Sequence, residues 1–221
     1  MSNVPPQLRC RQMPALKTDR LDAVQSAFAQ AEGCLMQQAW RAAPEKDFTP
    51  ATVRAAWRGD LLLVFAELED ADIFSRATAH NQRMWELGDV LEIFLSPENS
   101  TSYVEFHVTP NNFRLQLRFP DTATLRKAQK ENRFDHLVLP DGVFGSHTWT
   151  QPEKKRWFAL AEIPIAAIGG TDQRLPGMRC NFSFSRYDCI GGRDEPIISS
   201  TSPHARPDFH RREEWGTLIF V

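Results

Sequence analysis

Apolar and polar residues alternate along most of the chain after residue 50. In Leu61–Leu68, every second residue is apolar and falls on one face, and the segment then ends in acidic residues. This period of two is typical of a strand with one buried face. The same pattern predicts further strands at 89–95, 103–108, 113–119, 143–150, 157–163, 178–187 and 216–221.

Turn-forming residues separate these predicted strands. Ser96-Pro97-Glu98-Asn99 and Pro110-Asn111-Asn112 interrupt the alternation, and the second turn favours a hairpin between antiparallel neighbours. A count of about eight strands, with turns at such intervals, is typical of a sandwich. We therefore expect an all-β fold, a two-sheet antiparallel β sandwich that is jelly-roll-like, with minor helix at its periphery.

The first fifty residues follow a different pattern. Apolar residues at helical spacing predict one short amphipathic helix that ends by Gly33. The residues with this spacing are Leu21, Val24, Phe28 and Ala31. We expect residues 1–35 to form an N-terminal extension packed on the domain, and residues 36–221 to form the sandwich. The polar segment 121–135 is helix-compatible and predicts an excursion on the surface.

Composition narrows the range of partners. The chain of 221 residues has 26 basic and 28 acidic residues, for a net charge of -2, which gives no electrostatic footprint for nucleic acid. Its apolar runs fall short of a membrane span, and its N-terminus lacks the apolar stretch of a secretory signal. We expect a cytoplasmic protein, or a secreted one if a leader has been removed. Four cysteines without a CxxC pair predict free thiols rather than a disulfide scaffold.

Six segments resemble the family 9 carbohydrate-binding modules, in the order in which they occur there. The most diagnostic is a tryptophan followed by "GDxxEIFL". Together the matches cover roughly Trp40 to Val221. The segments are Trp57–Asp70, Trp85–Leu95, Tyr103–Pro110, Trp157–Gly169, Gly177–Arg186 and Phe209–Phe220.

This resemblance implies a β sandwich that binds a mono- or oligosaccharide. Members of the family often assist a glycoside hydrolase in carbohydrate catabolism, commonly hold structural calcium, and do not catalyse. The alternative is a degenerate interaction module, or a hydrolase-associated one, that no longer binds sugar.

Two residues are the main candidates for a sugar site. Glu92 falls on the strand face that carries Val90 and Phe94, where a carboxylate is costly unless it is solvated or paired. An ion pair with an arginine on a neighbouring strand is the alternative, but the family resemblance implies contact with sugar hydroxyls. Trp85 precedes a strand in a predicted loop, so we expect an exposed platform on which a sugar ring can stack.

Three further residues are ligand candidates, and Arg114 is the preferred one of its row. Arg114 belongs to a polar row and lies nearest the 111–112 turn, and His107 is expected on the corresponding face of the preceding strand. A solvent-exposed face is the ordinary explanation of such a row. Arg186 ends a strand, where it can either reach the site or anchor the loop at Asp188.

Two further features concern calcium and a second aromatic residue. Asp70 and Asp72 follow a strand and offer the oxygen ligands that calcium prefers, although a solvated acidic turn has the same sequence. Thr201 stands where family members often carry a second tryptophan. The loss of one stacking face removes about 1–2 kcal/mol of binding free energy. His204 and Phe209 are possible substitutes.

Enzymatic activity is left open by the sequence. Glu92 and Glu105 are candidates for the carboxylate pair of a glycosidase that hydrolyses O-glycosyl compounds, but no GxSxG or HExxH motif accompanies them. A haem module is a further alternative, for which Met84, His107 and Met178 are the candidate axial ligands.

Overall fold

The computed structural model describes residues 4–169 and 175–221, and β-structure dominates this part of the chain. The strands are β1 (Gln7–Gln12), β2 (Gly33–Leu35), β3 (Ala51–Arg58), β4 (Leu61–Glu69), β5 (Val90–Pro97), β6 (Tyr103–Val108), β7 (Arg114–Phe119), β8 (Gly145–Gln151), β9 (Arg156–Pro164), β10 (Arg179–Asp188), β11 (Ile197–Ser200) and β12 (Gly216–Phe220). The α-helices are α1 (Leu21–Phe28), α2 (Thr122–Glu131) and α3 (Ile165–Ile168). The expected all-β class with few helices is confirmed.

The twelve strands form one hydrogen-bonded sheet in the order β7-β6-β5-β10-β12-β1-β3-β4-β9-β8, with β11 on β10 and β2 on β3. Most neighbours are antiparallel, but β1 runs parallel to both of its partners. Residues 7–10 of β1 pair with β12, and residues 11–12 pair with β3. We expected two separate sheets, but the hydrogen bonds join the strands into one. The reason is that β1 changes partner midway along its length and so links the two halves.

The side chains of both halves meet in one apolar core. Leu91, Ile93 and Phe106 from one half lie in the same cluster as Val64 and Ala159 from the other. The opposite face of β5, β6 and β7 is covered as well, by a second cluster that includes Phe94 and Trp215. Since β5 and β6 are buried on both faces, any polar side chain on them is withdrawn from bulk water.

The segment expected to be an N-terminal extension is integral to the sheet, since it contains β1. It also contains α1, whose Val24 and Phe28 are buried against the outer face of β4 and β9. The Phe28 and Phe65 ring centroids are 5.3 Å apart. The helix ends before Gly33 because β2 begins at that residue and pairs with β3.

The polar excursion after β7 contains α2. Asp121 caps the helix by accepting a hydrogen bond from the Thr124 backbone N–H at 2.7 Å. Asn132, in a left-handed conformation (φ 51°), ends it. Leu125 and Ala128 pack into the second cluster, so α2 is held against the outer face of the sheet. Within the described residues, no helix is long and apolar enough to cross a membrane.

Candidate functional site

A cavity of about 570 Å³ opens on the outer face of β5 and β6. Glu92, Glu105 and His107 form its floor, and α2 lies along one side. The loop at 206–213 contributes the opposite wall. The size lies within the range of small-molecule sites.

Strand register brings the floor residues together. Glu92 on β5 pairs directly with His107 on β6, and Phe94 pairs with Glu105. Because side chains alternate along a strand, all four of these side chains project from the same face. Glu92, Glu105 and His107 are only 4%, 3% and 1% exposed, so burial makes their interactions stronger than those of surface groups.

Acidic and basic groups alternate along this floor. His107 Nδ1 lies 3.3 Å from Glu92 Oε1, and His107 Nε2 lies 3.3 Å from Glu105 Oε2. At the other end, His210 Nδ1 lies 3.2 Å from Glu105 Oε1 and 3.0 Å from the Tyr103 hydroxyl. We call Glu92, His107, Glu105 and His210 the floor cluster.

The protonation equilibria of the floor cluster are strongly coupled. Burial raises the pKa of Glu92 to about 7, although nearby His107 opposes this change. Burial acts in the same direction on Glu105, but His210 and His107 hold its pKa below the ordinary value. Burial disfavours the imidazolium forms of both histidines, yet their carboxylate neighbours raise the pKa of each.

Two floor atoms have unused hydrogen-bonding capacity. Among the residues that the structure describes, none meets hydrogen-bonding geometry with Glu105 Oε1 or His107 Nδ1, although ion-pair neighbours lie within 3.3 Å of each. A buried polar atom left in this state destabilises the fold by about 1–3 kcal/mol. Both residues line the cavity, but these two atoms are themselves covered by their neighbours in the floor cluster.

Aromatic rings form one end of the cavity. Trp85 lies in a 3₁₀ turn (Met84–Glu86) and is half-buried. Its ring centroid is 5.6 Å from that of Phe134 at an interplanar angle of 72°, and 5.6 Å from that of His107. The Arg83 guanidinium covers the Phe134 ring, with Cζ 5.4 Å from the centroid. Trp85 and Phe134 therefore form an aromatic corner of the cavity.

The structure places the other predicted ligand residues away from this cavity. Arg114 pairs with Val108, so its side chain projects from the inner face, opposite to His107. It lies 3.7 Å from Asp141 and over the Phe144 ring. The expectation that Arg114 and His107 share a face is wrong, because the actual pairing partner of His107 is Leu115.

Arg186 also projects inward, because it pairs with Leu91 of β5. It is 1% exposed, and its guanidinium lies 3.1 Å from both Asp70 and Asp188. It also donates to the Thr49 hydroxyl at 3.1 Å. Of the two alternatives for Arg186, these contacts support an anchor for the Asp188 loop. We call Arg186, Asp70, Asp89 and Asp188 the inner cluster.

Carboxylate oxygens of Asp70, Asp89 and Asp188 lie within 4.8 Å of one another, which is the grouping that a metal ion requires. Asp72 is not part of this group; it is exposed and accepts a hydrogen bond from the Gly191 backbone N–H at 2.8 Å. The geometry therefore does not favour Asp70 and Asp72 as a pair of calcium ligands.

The inner cluster does not fit calcium well, because it already contains a cation. The Arg186 guanidinium contacts two of the three carboxylates. Both oxygens of the third, Asp89, accept backbone N–H groups, from Phe74 at 2.7 Å and Cys189 at 2.8 Å. Calcium takes six to eight oxygen ligands and would lie beside a positive guanidinium here. The arginine–carboxylate network therefore accounts for the cluster without a metal.

The residue expected to replace a second tryptophan lies elsewhere. Thr201 accepts a hydrogen bond from the Phe184 backbone N–H at 3.0 Å and lines a separate cavity of about 490 Å³. Of the two possible substitutes, Phe209 lines the cavity of the floor cluster, whereas His204 is fully buried and lies 3.1 Å from Glu214.

Sequence reasoning missed two residues of the site. Phe134 is the single aromatic residue of the polar segment 121–135. Its isolation in a polar segment is the one sequence signal that could have marked it as a site residue. His210 belongs to the closing motif. Its contact with Glu105, which is 105 residues away in the sequence, leaves no signal in the sequence.

The rival site chemistries meet obstacles in the geometry. His107 lies between Glu92 and Glu105 and contacts both, so its imidazole occupies the position where a glycosidase pair would hold the scissile bond. Of the candidate haem ligands, Met178 is buried in the inner core and Met84 in the outer cluster. They lie on opposite faces of the sheet.

Comparison with solved structures shows which proteins share this fold. A proposed carbohydrate-binding protein from Bacteroides uniformis ATCC 8492 is 20% identical and has a TM-score of 0.73, over 97% of this chain and 99% of the other. A family 9 carbohydrate-binding module from Caldicellulosiruptor kristjanssonii in complex with cellotriose is 15% identical, with a TM-score of 0.65 over 97% and 93%. The same kind of module with glucose has 15% identity and a TM-score of 0.64 over 98% and 96%.

At these identities the likeness shows the fold alone. A search of curated proteins finds no significant match. The sequence profile of the carbohydrate family 9 binding domain-like family, however, matches residues 21–221, which is most of the chain. The resemblance of the six ordered segments is thereby confirmed, and the chain belongs to the family 9-like carbohydrate-binding domains.

Proposed function

We propose that this domain binds a saccharide, without catalysis, in the cavity above the floor cluster. The observation that carries the proposal is a cavity that combines carboxylates and an imidazole on its floor with an aromatic corner at Trp85 and Phe134. In that role the domain holds its ligand as an accessory in carbohydrate catabolism. Related modules have been solved with cellotriose and with glucose.

The cavity offers the two kinds of surface that a sugar ring needs. A pyranose has an apolar C–H face that stacks on an aromatic ring, for which Trp85 is the candidate and Phe134 the adjoining wall. Its hydroxyl groups donate strong hydrogen bonds to carboxylates, for which Glu92 and Glu105 are the candidates. Because these groups are already held in place by strand pairing, little side-chain entropy is lost on binding.

The test is isothermal titration calorimetry against glucose and cellotriose. We expect saturable binding that Trp85→Ala weakens by about tenfold or more, because the stacking contact contributes roughly 1–2 kcal/mol. Glu92→Gln provides a second variant that retains the size of the side chain. Circular dichroism establishes that each variant is folded.

Arg114→Gln is the matched control, since it changes a polar side chain on the opposite face of the same sheet. It should leave the affinity unchanged. Absence of saturable binding to these sugars and to a broad glycan array, or equal loss of affinity in Arg114→Gln and Trp85→Ala, would contradict the proposal.

A further inference from the structure

The floor of the cavity balances its own charge. Carboxylates and imidazoles alternate along the floor cluster, and the pKa of each of the two histidines is raised. With both histidines protonated and Glu105 ionised, the floor is neutral when Glu92 is ionised and carries one positive charge when Glu92 is protonated. A ligand that enters the cavity therefore meets hydrogen-bonding groups there, but no net negative field.

Arginines surround the cavity, and two of them are neutralised by neighbours on their own loop. Arg206 lies 3.1 Å from Asp208. Arg211 lies 2.7 Å from Glu214 and 3.2 Å from Glu213. Each is paired with at least one carboxylate, and the second carboxylate beside Arg211 leaves this group with one net negative charge.

The remaining two lining arginines have no carboxylate partner among residues 4–169 and 175–221. Arg212 donates only to neutral oxygens, at Ser96, Ser100 and Thr101. Arg126, exposed on α2, has neither an ion pair nor a hydrogen bond within the described chain. Arg126 is thus a cation at the edge of the cavity with all of its donors available.

We propose that the natural ligand is an acidic saccharide whose oxyanion, a carboxylate or a sulfate, binds Arg126 while its ring occupies the cavity. This inference rests on the proposed function and names the class of sugar. The guanidinium presents paired N–H donors that match two oxygens of one anionic group. The two positive charges of Arg126 and Arg212 exceed the single net negative charge of the loop, and this excess favours such an anion over a neutral sugar.

Three sugars with the same ring separate the possibilities: glucose, glucuronic acid and glucose 6-sulfate. Calorimetry at low ionic strength, about 0.01 M, retains the electrostatic contribution. We expect at least one of the two anionic sugars to bind about tenfold more tightly than glucose. Arg126→Gln should bring its affinity down to that of glucose. Lys127→Gln, which removes an exposed charge from the same helix but away from the cavity, should preserve the preference.

The outcomes distinguish this inference from the proposed function. Equal binding of all three sugars, lost in Trp85→Ala, overturns the inference and supports saccharide binding in the cavity. A preference for the anionic sugars that survives in Arg126→Gln also overturns it. Binding of none of the three contradicts the inference, whereas the proposed function is contradicted only if cellotriose and the glycan array also show no binding. The anionic sugar that gains affinity shows whether the oxyanion is a carboxylate or a sulfate.

Discussion

Two polar clusters are buried on opposite faces of the sheet, and they differ in what surrounds them. The inner cluster places Arg186 among three aspartates, and none of its residues lines either of the two cavities described above. The floor cluster contains only carboxylates and imidazoles and opens on a cavity. Two adjacent residues of β5 pair with different clusters. Leu91 pairs with Arg186 of the inner cluster, and Glu92 pairs with His107 of the floor cluster.

The comparison distinguishes buried polar groups that stabilise the fold from buried polar groups that line a cavity for a ligand. A buried guanidinium can contact several carboxylates at once, so the inner cluster ties the strand end at Arg186 to the loops at Thr49 and Asp70. An imidazole has only two nitrogens, and His107 cannot align both with its carboxylate neighbours. The floor cluster is therefore less fully hydrogen-bonded than the inner cluster, and its residues line the cavity.

The largest expected effect is on the inner cluster. Arg186→Met leaves Asp70 and Asp188 buried without their cation, and we expect it to lower the free energy of unfolding by about 3–5 kcal/mol. Urea denaturation at pH 7 measures the change. Arg114→Met, a half-buried arginine with one long-range ion pair, should lose far less. Similar losses in the two variants would remove the distinction that we draw for Arg186.

The pH dependence of stability separates the two clusters. Burial raises the pKa of Glu92 from 4.5 to about 7 and that of Asp89 from 3.8 to about 8. The folded state therefore binds more protons than the unfolded state between these values, and stability falls as the pH rises through them. The raised pKa values of His107 and His210 act in the same direction as the pH rises further.

Glu92→Gln should flatten the profile between about pH 4.5 and 7, by about 3 kcal/mol. The remaining slope toward pH 8 then belongs to Asp89 and the histidines. Denaturant titrations at half-unit pH intervals measure both slopes. A profile that Glu92→Gln does not alter would show that Glu92 is not held in the protonated form by burial.

A smaller effect is expected on ligand affinity. Glu105→Gln should weaken saccharide binding by about tenfold, since a hydrogen bond to a charged group contributes about 1.5–3 kcal/mol and the amide retains part of it. Thr49→Ala removes a hydrogen bond from the inner cluster and should leave affinity unchanged. Calorimetry with the tightest-binding sugar compares the two. An equal loss in both variants would make the clusters functionally indistinguishable.

The smallest effect is expected from metal removal. Because Arg186 already supplies positive charge to the inner cluster, EDTA should shift the melting temperature by no more than about 1 °C, well below the shift that accompanies 1 kcal/mol. Differential scanning calorimetry with added calcium is the comparison. A rise of several degrees with calcium would show that the three aspartates bind it despite the guanidinium.

The sequence predicted the strands whose alternation is long and regular. The predicted segments at 61–68, 103–108 and 157–163 correspond closely to β4, β6 and β9. β2 and β11, with three and four residues, are too short to show a period of two. β1 was missed because most of its residues are polar, and it is held by parallel pairing with strands far along the chain.

Only the part of the site that lies on a single strand could be predicted from the sequence. The position of Glu92 on the face of Val90 and Phe94 follows from alternation alone and agrees with the structure. The face of the sheet on which Arg114 lies depends on the register between β6 and β7, because a shift of one residue moves every side chain of a strand to the opposite face. Phe134 and His210 reach the cavity through tertiary packing of a helix and a loop, which local patterns do not encode.

β1 has a consequence for where this domain can be shortened. The family profile begins at residue 21, beyond β1, yet β1 supplies the only strand between β12 and β3 in the sheet order of the described residues. A fragment that starts at residue 21 would leave the N–H and C=O groups of both neighbouring strands without partners along one edge. Open edges of this kind recruit strands from other molecules, so such a truncation would favour self-association over a monomeric domain.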